Sequence, residues 1–487
     1  MQGLIAPTAV VGLDVGTSGA RAVAVDVGGD VLAEGTASLP AHGQPLPPGW
    51  FEQEPSAWWQ AACAALRAMA AGLGSRRVEA IAVSSTSGTV CLVSADGSPL
   101  GPAIMYSDIR SGAEAAEAQA AGHELATALG YRFSPSFALP KLLWLARHRP
   151  ADLARARWFL APADYVAGCL SSEWGVTDWT NALKAGYDLL AERWPSFIAD
   201  LGLPPERFPR VVAPGEPIGR VSAGAAAETG LPAGTQVLAG LTDGCASQLS
   251  TAAVAPGDWN STLGTTLVVK GVSDRLVRDP EGRIYSHRHP EGHWLPGGSS
   301  SSGGEIIARR FAATELDRLN RAALGRAPTD LIIYPLARRG ERFPFLHPEA
   351  EGFALGDSPD EETLYTACLE GVAYLERLCY EVLERIGFVV GDTIYAAGGA
   401  NRSLAWLQLR ADITGRRLAV PRTSGAAMGA AVLAAARVWY GSLTTAARKI
   451  VRIERVFEPR PDLRGAYDER YGRFVAALTE RGYLRGL

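Results

Sequence analysis

Near the amino terminus the chain reads Ala9-Val10-Val11-Gly12-Leu13-Asp14-Val15-Gly16-Thr17-Ser18-Gly19-Ala20-Arg21-Ala22-Val23-Ala24-Val25-Asp26. Two short apolar, β-branched runs, Ala9 to Asp14 and Arg21 to Asp26, flank a turn of four small residues, Gly16 to Gly19. A second glycine turn at Gly28-Gly29 leads into Val31 to Gly35. This spacing predicts a three-strand meander. The pattern then switches to an alanine-rich helical face from Ser56 to Gly72, with Trp58-Trp59 packing its start, and to a buried strand from Val78 to Ser84. Strands, helix and strand in that order describe an α/β layer.

The same device recurs. Asn260 to Leu263, the turn Gly264-Thr265-Thr266 and Leu267 to Gly271 repeat strand, small-residue turn and strand about 248 residues later. One recurrence at that distance predicts two related halves joined compactly across a cleft, not a repeat array. Helices are expected near 113–149, 163–170, 304–320 and 361–386, with a strand at Thr393 to Ala397. The segment from Leu203 to Gly219 reads as a loop, and the charged tail Arg452 to Arg485 as a terminal helix.

Composition narrows the function classes. With 487 residues, 47% apolar, and 47 basic against 51 acidic side chains, the chain can fill large cores and has no basic field for a polyanion. Nucleic-acid binding is therefore not expected. No uncharged apolar run of about 18 residues is present, and no positive charge precedes the first apolar stretch, so neither a membrane span nor a leader is expected, and the reading is a cytoplasmic protein. The six cysteines form no C-x-x-C pair and are expected to be reduced. The four lysines, Lys141, Lys184, Lys270 and Lys449, do not follow glycine, which excludes G-x-x-x-x-G-K. The glycines at 12, 16 and 19 lack dinucleotide-binding spacing, which argues against a nicotinamide dehydrogenase. His287, His289 and His293 match no familiar metal spacing and are expected on a surface hairpin.

A turn of Gly, Thr and Ser between strands offers backbone N–H groups and hydroxyls to phosphate oxygens without a lysine. Two such turns, one per half, could close on one polyphosphate. Asp14 ends its strand beside the first turn, a position suited to Mg²⁺ or to capping the turn. Asp243 follows the apolar run Gln236 to Leu241 and precedes Gly244 at a helix start, where a carboxylate stays ionised. It could accept a hydroxyl proton or act only as an N-cap.

Several segments together resemble the FGGY family of carbohydrate kinases. They are Gly12 to Ala22, G-W-F-E-Q-E-P-S-A-W-W at Gly49 to Trp59, Y-S-D-I-R at Tyr106 to Arg110, and L-P-K-L-L-W-L at Leu139 to Leu145. In the same order follow G-L-T-D-G at Gly240 to Gly244, S-T-L-G-T-T at Ser261 to Thr266, and A-A-G-G-A-N-R-S-L-A-W-L-Q-L-R-A-D at Ala396 to Asp412. The resemblance implies an α/β protein of two actin-like, ribonuclease-H-like domains with ATP and sugar in the cleft between them. The domains are expected at 1–246, for the sugar and the first phosphate turn, and at 247–450, for the nucleotide, followed by a helical tail at 451–487.

On this resemblance Asp243 is the catalytic base and Asp14 the partner site for substrate and Mg²⁺, with Asp243 also near the metal. Gly16, Thr17, Ser18, Arg21, Gly264, Thr265 and Thr266 would meet the phosphates. Gly398, Gly399, Ala400 and Asn401 would form the adenosine turn, with Ala400 where the family usually has a third glycine and Asn401 where it has a small residue. Asp108 would contact the sugar, with Arg110 as its buttress.

In place of the Gln-Met-His-Gly of typical xylulose kinases stands Ser84-Ser85-Thr86-Ser87-Gly88-Thr89, so Thr86 and Ser87 become substrate candidates. This segment is more similar to pentulose kinases that favour D-ribulose. The expected activity is transfer of the ATP γ-phosphoryl group to a ketopentose, D-ribulose ahead of D-xylulose, by a monomer or homodimer. An actin-like ATP switch without a sugar pocket is the competing class.

Overall fold

The computed structural model describes residues 8–40 and 45–484. The chain forms two units, each assembled from several stretches. The first takes the chain up to Val254 together with His287–His293 and Thr423–Arg452; the second takes Ala255–Ser286, Trp294–Arg422 and the chain from Ile453. Consecutive segments divided at 246 and 450 do not describe these returns, because late helices complete the first unit.

In the first unit β1 (Thr8–Val15), β2 (Gly19–Val25), β3 (Val31–Ser38), β4 (Arg77–Ser85), β5 (Pro217–Arg220) and β6 (Gln236–Thr242) form one sheet, ordered β5-β6-β4-β1-β2-β3. The β1, β2 and β3 strands are antiparallel neighbours, whereas β1, β4 and β6 run parallel. The helix Pro55–Ala70 starts with proline, where the missing N–H costs nothing, and buries Trp58, Ala62, Leu66 and Met69 against one face of the sheet. The helix Ala426–Ala435 covers β1 from its other side, and a Cβ on Gly12 would fall 1.9 Å from Ala427 O. Only glycine permits that approach.

The second unit repeats the plan. Its strands are β7 (Trp259–Leu263), β8 (Leu267–Gly271), β9 (Tyr285–Arg288), β10 (Trp294–Ser299), β11 (Thr393–Ala397), β12 (Arg417–Pro421) and β13 (Ile453–Phe457), ordered β9-β10-β8-β7-β11-β12-β13. Again β7 and β8 make an antiparallel hairpin, and β7, β11 and β12 run parallel. The long helix Glu361–Arg385 is amphipathic and supplies much of a separate core with Trp259, Tyr334 and Phe474. A fully buried ion pair, Arg410 Nε to Glu376 Oε2 at 2.6 Å, joins that helix to Leu404–Thr414, and Arg410 also donates to Ser261 Oγ on β7.

Some local expectations change. The stretch near 113–149 is three helices, broken at Gly122 and at the left-handed Gly130. The helix expected over 304–320 divides into Glu305–Arg310 and Leu316–Arg326, because Phe311 turns extended to bury its ring. The tail contains β13 before its helix, Arg464–Glu480: Ile453–Phe457 pairs as an edge strand whose first four residues, with adjacent Glu454 and Arg455, are exposed. The histidine hairpin is buried, not superficial: His287 and His289 are almost inaccessible. All six cysteines are free thiols. Among the described residues, no single helix is long and apolar enough to cross a membrane.

Candidate active site

The parallel strands β1, β4 and β6 lie side by side, so their carboxyl ends bring distant residues together. The register pairs Asp14 with Ser84, and Ser85 with Thr242. Ligand chemistry in α/β sheets collects at such strand ends. Ser84 Oγ donates to Asp14 Oδ1 at 2.8 Å. Burial, opposed by that hydrogen bond and reinforced by the charge of Asp243, pushes Asp14 up to about 7.

Asp243 begins the helix Asp243–Leu249, half-buried, and its Oδ1 accepts from Gly244 N at 2.6 Å. The strand before it is pinned from outside the sheet. Thr242 N donates to Thr180 Oγ1 at 2.9 Å, and Thr180 Oγ1 donates to buried Asp178, which also caps the short helix Trp179–Ala182. Asp178 and Thr180 escaped the sequence reading, although T-D-W-T at 177–180 has the Asp-x-x capping spacing that could have flagged the helix.

The turn after Asp14 is closed by Gly16 N donating to Gly19 O at 2.9 Å, with Thr17 and Ser18 exposed. Gln53, from the G-W-F-E-Q-E-P segment, donates to Thr17 O at 2.7 Å and accepts from Trp58 Nε1, so the segment braces the turn. Arg21 lies opposite Asp14 in the ladder, but its guanidinium pairs with Glu34 at 2.8 Å, both side chains well exposed.

The Ser84 to Thr89 segment is mostly committed to the protein. Ser85 Oγ accepts from Ala163 N, Thr86 Oγ1 shares a hydrogen bond with Thr89 Oγ1, and Thr89 also accepts from Tyr106 N. Ser87 Oγ, by contrast, is buried with no hydrogen-bond partner. Asp108 is equally engaged. Both its oxygens accept from Arg110, and one also accepts from Phe51 N at 2.6 Å. Arg110 is itself stacked 3.6 Å from the Trp50 ring centroid and paired with Glu52. Arg110 therefore does buttress Asp108, and any contact of Asp108 with a sugar would use lone pairs already in service. Tyr106, which the sequence reading passed over as part of its motif, is the exposed aromatic of that segment.

In the second unit the turn Gly264-Thr265-Thr266 is held by backbone bonds alone: Gly264 N to Thr266 O, Gly304 N to Gly264 O, and Glu305 N to Thr265 O. Behind it runs a serine loop. Leu267 N donates to Ser302 O, and Ser300, Ser301 and Ser302 all donate to the buried carboxylate of Glu341. Glu341 also accepts from Tyr334 OH at 2.9 Å. No sequence pattern signals a single acid 40 residues away.

Gly398 has φ +96°, and a Cβ there would sit 2.4 Å from Leu263 O, so glycine is required. Gly399 is exposed and open. Ala400 has no left-handed φ, which is why alanine fits where a third glycine is usual. Asn401 Nδ2 donates to Ala396 O at 2.9 Å, while its Oδ1 is buried without a partner.

Among the described residues no three His, Cys, Asp or Glu side chains converge as a metal group. Burial holds His289 down to about 3 and thus neutral, and its Nδ1 accepts from Glu291 N. Asp14 and Asp243 remain the carboxylates suited to Mg²⁺. Their mutual repulsion is relieved by a cation, and Mg²⁺ commonly takes one or two carboxylates plus phosphate oxygens.

The N-terminal domain of the FGGY family of carbohydrate kinases matches residues 9–250, and its C-terminal domain matches 259–438. A xylulose kinase of Streptomyces rubiginosus is 29% identical over 97% of this chain and 98% of its own, and a gluconokinase of Bacillus subtilis is 26% identical over 87% and 86%. The solved structure of a xylulose kinase from Brucella ovis superposes with a TM-score of 0.87 at 29% identity, covering 98% of this chain and 99% of that one. With a ribonuclease-H-like fold in each half and both family domains matched, the chain belongs to the FGGY family of carbohydrate kinases, enzymes that carry a phosphoryl group from ATP to a sugar.

Proposed function

We propose that this kinase transfers the γ-phosphoryl group of MgATP to the terminal hydroxyl, O5, of a ketopentose, with Asp243 as base. The carrying observation is that β1 and β6, with β4 between them, bring to the same edge of the sheet Asp14, the last residue but one of β1, and Asp243, the residue that follows β6, while only Val15 separates Asp14 from the Gly16-Thr17-Ser18 turn. Phosphoryl transfer has a loose transition state, so little nucleophile activation is needed. Asp243, at the start of its helix, orients the hydroxyl and takes its proton late. Gly16, Thr17 and Ser18 in the first unit, and Gly264, Thr265 and Thr266 in the second, supply amides and hydroxyls to phosphate oxygens. Gly398 to Asn401 supply the small-residue turn for adenosine. When bound, Mg²⁺ neutralises phosphate charge, and Asp14 and Asp243 are the residues that would hold it.

The ketopentose class is supported by the relatives named xylulose kinase. Within the class, we place D-ribulose ahead of D-xylulose on the Ser84 to Thr89 segment, where small hydroxyls replace a thioether and an imidazole. D-Xylulose is the second reading, favoured by the names of those relatives. Family membership sets aside the ATP-switch class. A coupled ADP-release assay over D-ribulose, D-xylulose, L-ribulose, L-xylulose, gluconate, glycerol and ribitol tests the assignment. Stimulation greatest with D-ribulose is the expected result, and a larger kcat/KM for gluconate or glycerol would overturn the ketopentose class.

A further inference from the structure

Lysine is scarce in this chain, yet two of its four lysines are buried in the first unit. Lys141 is spent on the protein: its ammonium donates to Pro135 O at 2.5 Å and Phe137 O at 3.2 Å. Lys184 is not. It is 8% exposed, and it makes one long hydrogen bond, to Ser87 O at 3.3 Å, with the Phe137 ring centroid 5.6 Å away. An ammonium carries three N–H donors, so two of them have no acceptor among the described residues. No carboxylate lies within ion-pair distance of it among the described residues. A buried cation without a counter-ion is costly: burial pulls the Lys184 ammonium below its ordinary range, against the charge of Asp243, and an acceptor from outside the chain would restore its charged form.

The surroundings show what it would meet. Asp243 is the strongest of the groups whose negative charge acts on Lys184, ahead of Cys245 and Tyr106, so the ammonium belongs to the neighbourhood of the proposed base. The position is also built. Lys184 sits on the single turn Leu183–Ala185, directly after the helix capped by Asp178 whose Thr180 holds Thr242. Gly88 leaves room for its stem: with φ +87°, a Cβ there would come 2.9 Å from Lys184 Cδ and 2.2 Å from Ser136 O. Ser87, whose carbonyl accepts from the lysine, also carries a buried hydroxyl that has no partner among the described residues.

We propose that Lys184 is a specificity-determining residue that, together with the Ser87 hydroxyl, binds an oxygen of the acceptor sugar other than the one phosphorylated. This rests on the assignment of sugar phosphorylation at Asp243. The recognised group is a lone-pair acceptor, a carbonyl or hydroxyl oxygen, and a sugar lacking it leaves the ammonium buried and unanswered.

The test compares wild type with Lys184→Met and Lys184→Gln, using the best ketopentose from the ADP-release panel and its single-deoxy analogues. Wild type should discriminate against one deoxy analogue by about tenfold or more in kcat/KM, since a hydrogen bond to a charged donor is lost. Both variants should raise the sugar KM by about tenfold, hold the ATP KM within about twofold, and bind parent and deoxy sugars nearly equally. Loss of that discrimination cannot come from a merely structural lysine. If either folded variant keeps the wild-type discrimination, as judged with an unchanged melting profile, the proposal is overturned. Absence of ADP release with every sugar in the wild-type enzyme would instead overturn the function on which it rests. Should the methionine variant fail to fold, the glutamine variant, which keeps polarity and length, decides.

Discussion

The two small-residue turns share one plan and differ in what stands behind them. Both close a hairpin whose first strand lies beside a parallel neighbour. Behind the first turn stands chemistry: Asp14, Ser84 and Asp243 at adjoining strand ends, with a buried lysine nearby. Behind the second stands only framing, in the form of backbone bonds to Gly304 and Glu305 and a serine loop gathered on Glu341. Under the proposed function the same hairpin serves two purposes, because a turn of this kind can hold an anion with its backbone and so leaves the adjoining side chains free to diverge.

The largest effect should break the asymmetry at its root. Asp243→Asn should lower kcat by about 10²–10⁴ and leave the ATP Kd nearly unchanged. Turnover above half of wild type would remove Asp243 from the mechanism and make the two turns equivalent.

A second measurement asks whether the framing of the second unit stands without its turn. Glu370 accepts from Thr329 and Tyr467, and burial pushes it up to about 7 from an ordinary 4.5. Across that window the folded chain holds a proton that the unfolded chain releases, so stability is fullest below about 4.5 and falls as pH rises through 7. Glu370→Gln should flatten this slope, by at most about 3 kcal/mol, in urea unfolding compared at pH 5 and pH 7.5. An unaltered slope would show the acid ionised in the fold.

Next in size is Glu341→Gln. Its amide would set N–H groups against the Ser300, Ser302 and Tyr334 donors, loosening the second turn. The ATP KM should rise by about tenfold with the sugar KM within about twofold. Equal rises in both would mean that Glu341 frames the whole enzyme and not that turn.

The smallest effect belongs to Arg21→Gln. The exposed pair with Glu34 should be worth less than about 0.5 kcal/mol in stability. If the ATP KM nevertheless rises by about fivefold or more, Arg21 leaves Glu34 to meet the nucleotide, and the first turn has a charged partner that the second lacks.

Local pattern made the two hairpins, the helix after Glu54 and the acid at Asp243 readable from the chain, because each is written within a few consecutive residues. What remained hidden depends on partners far apart in sequence. Asp178 reaches Thr242 through Thr180, Glu341 collects a loop 40 residues away, and Lys184 comes to Asp243 through tertiary packing. Asp108 was legible as a motif residue, but its saturation by Arg110 and Phe51 N follows from the meeting of two segments 57 residues apart. The tail strand was missed because its five residues, with two adjacent charges, carry no alternation to set against the helical spacing that follows them.

The helix Ala426–Ala435 that rests on Gly12 has a consequence for the order of events in the cell. At about 5–20 residues per second, a ribosome needs roughly 20–80 s after making that strand to deliver its cover. Through that interval the back of the first sheet is an unroofed apolar surface, so the nascent chain needs shelter from its neighbours until synthesis has reached about the last tenth of its length.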